Sequence, residues 1–473
     1  MVRNLHACFL LAMMLSPGCL LAQGQRNRNN ETVNGYRGIW FTLGQFSEYG
    51  DKYSGGLGTY TADHMPLAIY APKVNKTFFV YGGTTDVNDK YLLCMIGSFD
   101  HKRKTVSRPV VVHDKGGVND PHDNPSLLID DQGFIWVFVS GRNTTRLGYK
   151  YRSVKPYDIS AFEQISEEVM TYPQPMFIPG KGYFHFFTKY TGVRELYFET
   201  SADGRTWTND VKLAGIKKPL YSKSGHYQVS NFSGNRIFTF FNWHPDGDVD
   251  KRTNIYFLQT HNFGKDFETA EGEKLPLPLE DINSSALVMD YAPHKKNVYL
   301  CDATSDDEGN PICLYLISDG HQPGPKSGIR EWHVLFRRDQ RWVDQKVTDS
   351  DHNYDMGSLF VDGNLWRVIA PTDPGPQPYG AGGEIVIWES ADSGITWKRK
   401  KQITTHSQRN HNYVRRVVNG RSPFLYFWAD GNPNQFSPSY LYAGDEKGRV
   451  YQLPYDMERN EQKLVRVNSV SSH

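Results

Sequence analysis

Cysteine is scarce in this chain, with five in 473 residues, and only Cys94, Cys301 and Cys313 lie beyond the first twenty positions. An odd count of three excludes a disulfide scaffold, and nothing in their spacing suggests a zinc site. Cys301 and Cys313 flank the turn-rich Asp306-Asp-Glu-Gly-Asn-Pro311, so they either face each other across a hairpin or are two buried free thiols. Charge of one sign is also missing: 53 Lys and Arg stand against 52 Asp and Glu, a formal net charge of +1. No global field therefore recruits nucleic acid or an anionic membrane, and an anionic ligand has to be gripped locally. Long runs of strong helix formers are absent, and the apolar stretch at residues 9–15 is too short to span a bilayer.

Aromatic residues, by contrast, make up 14% of the chain, with 42 Gly and 26 Pro. That composition favours many short strands joined by tight turns. The length admits two or three average domains, or one large all-β unit. At the N-terminus, Arg3, the apolar stretch and Cys19-Leu-Leu-Ala22 before Gln23 read as a secretory signal cut after Ala22. The protein is then expected to be exported, to a periplasm or the extracellular space. Ser16-Pro-Gly-Cys19 loosely resembles a lipobox, which leaves lipoprotein anchoring as the alternative. Residues 23–34 are a polar leader with no reason to fold, and residues 35–465 are expected to form one domain.

A unit recurs roughly every 50 to 70 residues, the range expected of propeller blades. Its copies are Thr61-Ala-Asp-His-Met-Pro-Leu-Ala-Ile-Tyr70, Asp120-Pro-His-Asp-Asn-Pro-Ser-Leu-Leu-Ile129, Thr171-Tyr-Pro-Gln-Pro-Met-Phe-Ile178 and Gly225-His-Tyr-Gln-Val-Ser230. Asn283-Ser-Ser-Ala-Leu-Val-Met289, Asp351-His-Asn-Tyr-Asp-Met-Gly-Ser-Leu-Phe360 and Asn410-His-Asn-Tyr-Val-Arg-Arg-Val417 follow. Each has a polar head, a short apolar strand, a turn such as Asp131-Gln-Gly133, and a second aromatic strand such as Phe134-Ile-Trp-Val-Phe-Val139. Seven such hairpins predict an all-β, seven-bladed β-propeller. Ser390-Ala-Asp-Ser-Gly-Ile-Thr-Trp397 matches the Asp-box pattern, Ser201-Ala-Asp-Gly-Arg-Thr-Trp207 is one residue shorter, and Thr260-His-Asn-Phe-Gly-Lys-Asp-Phe267 reads as a worn third copy. These are turn chemistry and belong to the scaffold.

Inner strands of a propeller run along the central axis, so their heads converge on one end of the channel. The heads are His64, His122, Tyr172, His226, Asn283, His352 and His411. Each histidine alone is more simply a hydrogen-bonded structural residue, but a ring of imidazoles and a phenol is hard to explain by packing. Arg142 closes the hairpin that starts at His122, and Lys189, Tyr190 and Arg194 close the one that starts at Tyr172. Cations, a phenol and imidazoles at one mouth describe a site for an acidic sugar.

Asn34-Gly-Tyr-Arg-Gly-Ile-Trp-Phe41, the stretch Tyr49-Gly-Asp-Lys-Tyr-Ser-Gly-Gly-Leu-Gly-Thr-Tyr60, His122-Asp-Asn-Pro-Ser126 and the Asp boxes resemble the BNR-repeat propellers. That group includes ulvan lyases, L-rhamnose-α-1,4-D-glucuronate lyases and a related set of α-L-rhamnosidases. The resemblance covers nearly the whole chain and implies an enzyme acting at a rhamnose to glucuronate linkage, with structural calcium and no organic cofactor. The implied partner is an acidic, rhamnose-containing polysaccharide or oligosaccharide, such as a plant arabinogalactan bearing terminal rhamnose. His122 matches the lyases' His-x-Asn-Pro context and Tyr172 their catalytic Tyr, whereas their second His falls at Arg142 and an Arg falls at or near Lys189. A lysine there keeps the charge and loses the bidentate fork. The rhamnosidases' key His, on the opposite face, corresponds to the neighbourhood of Gln45, which weakens a hydrolytic reading.

Elimination from a 4-linked glucuronate needs a base for the C5 proton, positive charge on the carboxylate and an acid for the departing O4. On this reading Arg142, Lys189 and Arg194 neutralise the carboxylate, and Tyr172 serves as base and acid with His122 as its partner or as the base. Tyr190, His64, His226, His352 and His411 bind the sugars. The alternatives are an α-L-rhamnosidase and a propeller that binds sugar without cleaving it. A sialidase needs three arginines on one carboxylate, and its N-terminal Arg signature is missing, since Arg37 lies in the opening motif instead.

Overall fold

A computed structural model describes residues 27–57, 63–86, 88 and 90–467; residues 1–22, expected from the sequence to be a secretory signal, lie outside the described residues. Helix among them is confined to five single-turn 3-10 segments. Blade 1 is built on Ala68–Ala71, Lys76–Gly83 and Leu93–Asp100, blade 2 on Pro125–Ile129, Ile135–Val139, Gly148–Ser153 and Phe162–Glu168. Blade 3 runs from Thr171–Ile178 to Val211–Lys218, and blade 4 is built on Gln228–Ser233, Arg236–Trp243 and Thr253–Thr260. Blades 5, 6 and 7 have Asn297–Ser305, Ser358–Asp362 and Asn410–Arg421 as their innermost strands. Successive strands within each blade pair antiparallel, and the fold is a seven-bladed propeller.

The burial gradient explains the strand compositions. Ile135–Val139 is wholly buried because neighbouring blades cover both of its faces, which is why it reads as a continuous apolar run. The outermost strand of blade 6, Lys398–Gln402, is exposed and nearly all charged or polar. Aromatic rings fill the wedges between blades, as where Trp136 of blade 2 meets Tyr183 of blade 3 edge-on with centroids 5.2 Å apart. Each such ring contributes about 2–3 kcal/mol of apolar burial.

The Asp boxes act as expected. Ser390 Oγ accepts from Gly394 N–H (2.9 Å), Asp392 Oδ1 accepts from Thr396 N–H (2.9 Å), and Trp397 Nε1 donates to Gly394 O (3.0 Å). Ser201, Asp203 and Trp207 repeat this pattern, and Thr260 Oγ1 accepting from Gly264 N–H (3.0 Å) preserves it in the third copy. Gly394 has φ of +85°, a conformation that disfavours any side chain.

Closure joins the two ends of the chain. Gly38–Thr42 pairs with Ser437–Ser439, Glu461–Lys463 pairs with Thr105–Ser107, and Val418 in blade 7 meets Ile69 in blade 1. Arg37 is held in this seam by Asp456 and Thr85 O, away from the channel mouth.

Two expectations are corrected here. Asn283 heads no blade: Leu287–Met289 pairs with the edge of blade 4, and the innermost strand of blade 5 is Asn297–Ser305. The half-buried edge segment carries the same polar-then-apolar pattern as a true inner strand, but only the latter is fully packed. The polar leader is also not idle, because Asn30 N–H donates to Val111 O (2.7 Å), Val33 N–H donates to Pro109 O (3.0 Å), and the Val33 side chain is buried. Of the two readings open for Cys301 and Cys313, the structure shows buried free thiols, and Cys94 is a third.

Candidate active site

His122 sits in the 3-10 turn Pro121–Asp123 between blades 1 and 2, capped by Asp120, whose carboxylate accepts from His122 N–H (3.0 Å). The same carboxylate binds His122 Nδ1, and Arg146 Nη2 holds its other oxygen at 2.7 Å with Arg142 at 3.7 Å. Burial works against the charge on Asp120, but the His122 ring and Arg142 outweigh it and hold the carboxyl below its usual range. Burial pushes the His122 ring down to about 4, even though Asp120 pulls the other way. At neutral pH the ring is therefore neutral, with Nδ1–H donating to Asp120 and Nε2 as the basic nitrogen.

Tyr172 lies at the start of blade 3, with its N–H donating to Ser140 Oγ (3.1 Å). Its φ of +56° is strained for a bulky residue and coincides with a bulge between Thr171 and Gln174. That conformation carries the ring among His64 (5.6 Å between centroids), His122 (5.9 Å) and Tyr227 (5.5 Å). Beyond Tyr227 lies Arg252, its guanidinium carbon 5.0 Å from the Tyr227 ring, 4.4 Å from Tyr299 and 5.3 Å from Tyr354. Arg252 Nη2 donates to Tyr354 Oη (2.9 Å) and Nε to Val249 O (2.8 Å). Among the described residues no carboxylate pairs with it. Burial opposes its charge, and the Tyr354, Tyr299, Tyr227 and Tyr53 phenols sustain it.

Residues 43–57 form an arch over this end of the channel. Lys52 binds Asp250, the Tyr53 ring packs 5.2 Å from Tyr354, and Tyr413 Oη donates to Ser54 O (2.6 Å). Gln45 lies in the same arch, its N–H donating to Asp51 Oδ1 (2.9 Å), so it stands on the mouth side and not on the opposite face. His122, Tyr172 and Arg252 are each 1% exposed. The surrounding side chains have to part before a sugar ring touches them.

The remaining predicted residues separate into two groups. Arg194 belongs to the mouth: it flanks the Tyr227 ring (5.7 Å) and donates through Nη2 to Gly247 O (2.9 Å) and to His244 Nδ1 (3.4 Å). Tyr190 sits within the field of Arg142 and Arg194, though burial and Tyr227 keep its phenol protonated. His64 faces the Tyr172 ring while its Nε2 meets His122 O at 3.0 Å. His226, His411 and Lys189 turn elsewhere. His226 Nδ1 donates to Asn242 O (2.8 Å) and its Nε2 accepts from Ile216 N–H (3.0 Å), so both nitrogens serve the scaffold. His411 is held likewise by Ser407 Oγ (3.0 Å) and Trp428 Nε1–H (3.0 Å). Lys189 pairs with Asp210 (2.6 Å) on the outer side of blade 3. His352 accepts from Tyr354 N–H (3.1 Å) and so supports a mouth residue from behind. For the expected calcium, no group of three His, Cys, Asp or Glu side chains converges among the described residues, and no step below uses one.

A family model described as BNR repeat-containing family member matches residues 77–350. The chain belongs to this BNR repeat-containing family. This BNR-repeat propeller is 24% identical over 430 residues to an ulvan lyase of Alteromonas sp. (strain LOR), covering 81% of this chain and 82% of the relative. It is also 24% identical over 387 residues to an ulvan lyase of Nonlabens ulvanivorans, with 71% and 76% covered. Among solved structures, a polysaccharide lyase PL25 ulvan lyase superposes with a TM-score of 0.69 at 17% identity, over 89% of this chain and 96% of that one. That superposition supports the propeller fold.

Sequence reasoning missed Arg252, Tyr227, Tyr299, Tyr354, Tyr53 and His244. In part the signal was there. Strand side chains alternate between faces, so where His226 turns into the blade the next residue, Tyr227, turns into the channel. Arg252 lies in the charged run Asp248-Val-Asp-Lys-Arg252, which looks like a solvated loop until its fold is known.

Proposed function

We propose that this protein is a polysaccharide lyase that cleaves at a 4-linked glucuronate in a rhamnose-containing glycan by β-elimination. The observation that carries this reading is Arg252, a buried guanidinium with no carboxylate partner among the described residues, lying across Tyr227 from Tyr172 and His122. Such a group waits for an anion, and the uronate carboxylate is the anion whose neutralisation makes C5–H removable. Arg194, on another side of Tyr227, is the second cation. In the reaction the base takes the C5 proton, the C4–C5 double bond forms, the C4–O4 bond breaks and O4 leaves with a proton. In glucuronate, C5–H and O4 lie on one side of the ring, so Tyr172 can act as both base and acid, with neutral His122 accepting the phenolic proton.

Hydrolysis fits less well. A pair of carboxylates must flank the bond in most glycoside hydrolases, whereas here Asp120 is taken by His122 and Arg146, and Asp250 by Lys52. Ulvan is the first substrate to test, because the two relatives above are named ulvan lyases and a solved ulvan lyase holds -[GlcA(1-4)Rha3S]-. Rhamnose-capped glucuronate of arabinogalactan type is the second. The protein is incubated with each and the near-ultraviolet absorbance of an unsaturated uronate is followed. Tyr172→Phe is expected to lower kcat by at least about a thousandfold with the fold intact. Rhamnose release without the chromophore would refute elimination, and retained turnover in Tyr172→Phe would remove that residue from the mechanism.

A further inference from the structure

Beside the mouth, above blade 4, a groove of about 500 Å³ runs outward from the channel. Leu220, Tyr221, Trp243, Pro245, Asn283 and Lys295 are among the residues that line it. Leu220 is 71% exposed and Tyr221 38%, which makes them two of the few large apolar side chains at the protein surface. Tyr221 is held in place: its ring packs on Trp243 with centroids 5.6 Å apart, and its N–H donates to Lys217 O (2.7 Å). Trp243 is itself 4% exposed, so a buried ring anchors the partly exposed tyrosine.

The groove is continuous with the mouth. Asp250 lines it and at the same time binds Lys52 of the arch, and the residue after Trp243 is His244, whose ring lies 4.9 Å from Tyr227. Its charges largely cancel: Lys251 pairs with Asp248 and Lys296 with Asp319. A part-exposed, anchored aromatic ring with compensated charge around it suits the apolar face and methyl group of a rhamnose ring better than a uronate.

We infer that this groove is a distal glycan subsite, which binds a rhamnose unit of the same polysaccharide chain whose uronate occupies the mouth. The inference rests on the lyase reading for the mouth. It also implies that the chain extends across blade 4 and does not end in a closed pocket, so that polymer is preferred to short oligosaccharide.

The test compares Tyr221→Ala and the milder Leu220→Ala with the wild type on ulvan and on a tetrasaccharide cut from it. KM for the polymer is expected to rise about tenfold in Tyr221→Ala and less in Leu220→Ala, with kcat unchanged and the tetrasaccharide kinetics unaltered. Equal losses on both substrates, or no change on the polymer, would overturn the subsite. A binding measurement without turnover separates this inference from the lyase reading: retardation of the protein in a gel containing ulvan should weaken in Tyr221→Ala even if no unsaturated product forms. Unchanged retardation would overturn the subsite. Dimerisation that Tyr221→Ala abolishes while polymer binding persists would do the same, assigning the patch to a second copy of the chain.

Discussion

Acidification is expected to destabilise this protein through histidines that the fold keeps neutral. His411 receives the Trp428 indole N–H on Nδ1, and His226 receives the Ile216 amide N–H on Nε2. Protonating either nitrogen would set one N–H against another inside a buried site, and burial accordingly lowers His411 to about 3 and His226 to about 4 from an ordinary 6.5. A folded-state value below the unfolded one means that the unfolded chain binds the extra proton. Stability is therefore full above about pH 6.5 and falls as pH drops through the window toward 4 and 3. Between about pH 7 and pH 5 each histidine should cost about 2 kcal/mol, and the pair about 4 kcal/mol. The assay is guanidinium unfolding of the wild type and His411→Gln at both pH values. The variant loses stability at pH 7 with its hydrogen bonds, but its pH dependence should be smaller than that of the wild type by about 2 kcal/mol. An unchanged pH dependence would show that His411 is not the buried neutral group described here.

Substitutions at three other positions probe the mouth and the scaffold. Arg252→Met should reduce kcat by about a thousandfold, and Arg252→Lys, which keeps the charge but loses the fork, by about a hundredfold, in steady-state turnover of the uronate glycan. Asp120→Asn should lower kcat about a hundredfold by loosening the His122 ring, and should move the acid limb of the pH–rate profile to lower pH, because Asp120 raises the His122 value. Asp392→Ala in the Asp box should lower the thermal unfolding midpoint by a few degrees at most without altering KM, since the motif lies on the outer turns.

The blade count could be read from the chain because hairpins of polar head, turn and buried aromatic strand repeat around the ring. The register at the mouth was harder to read. At blade 4 the conspicuous histidine and the residue that faces the mouth are adjacent, and a one-residue shift moves a side chain to the other face. His226 and Tyr227 show this: the imidazole closes backbone hydrogen bonds inside the blade while the phenol faces Arg252. At His122 and Tyr172 the prediction and the geometry coincide, because a 3-10 turn in one case and a positive φ in the other aim those side chains at the axis. Lys189, at the last position of its strand, found a carboxylate on the outer side, which no spacing pattern reveals. Asn283 misled because an edge strand and an inner strand can share one local pattern while differing in what covers them.

Elimination is the bond-breaking step on which every proposed role depends, and the reaction in heavy-oxygen water tests it without reference to any single residue. Elimination takes no oxygen from solvent, so cleaved ulvan should carry no label at the newly formed ends while the unsaturated uronate accumulates. Label at the new ends would mean that water attacked the linkage, and the roles proposed for Arg252, Tyr172 and His122 would fall with it.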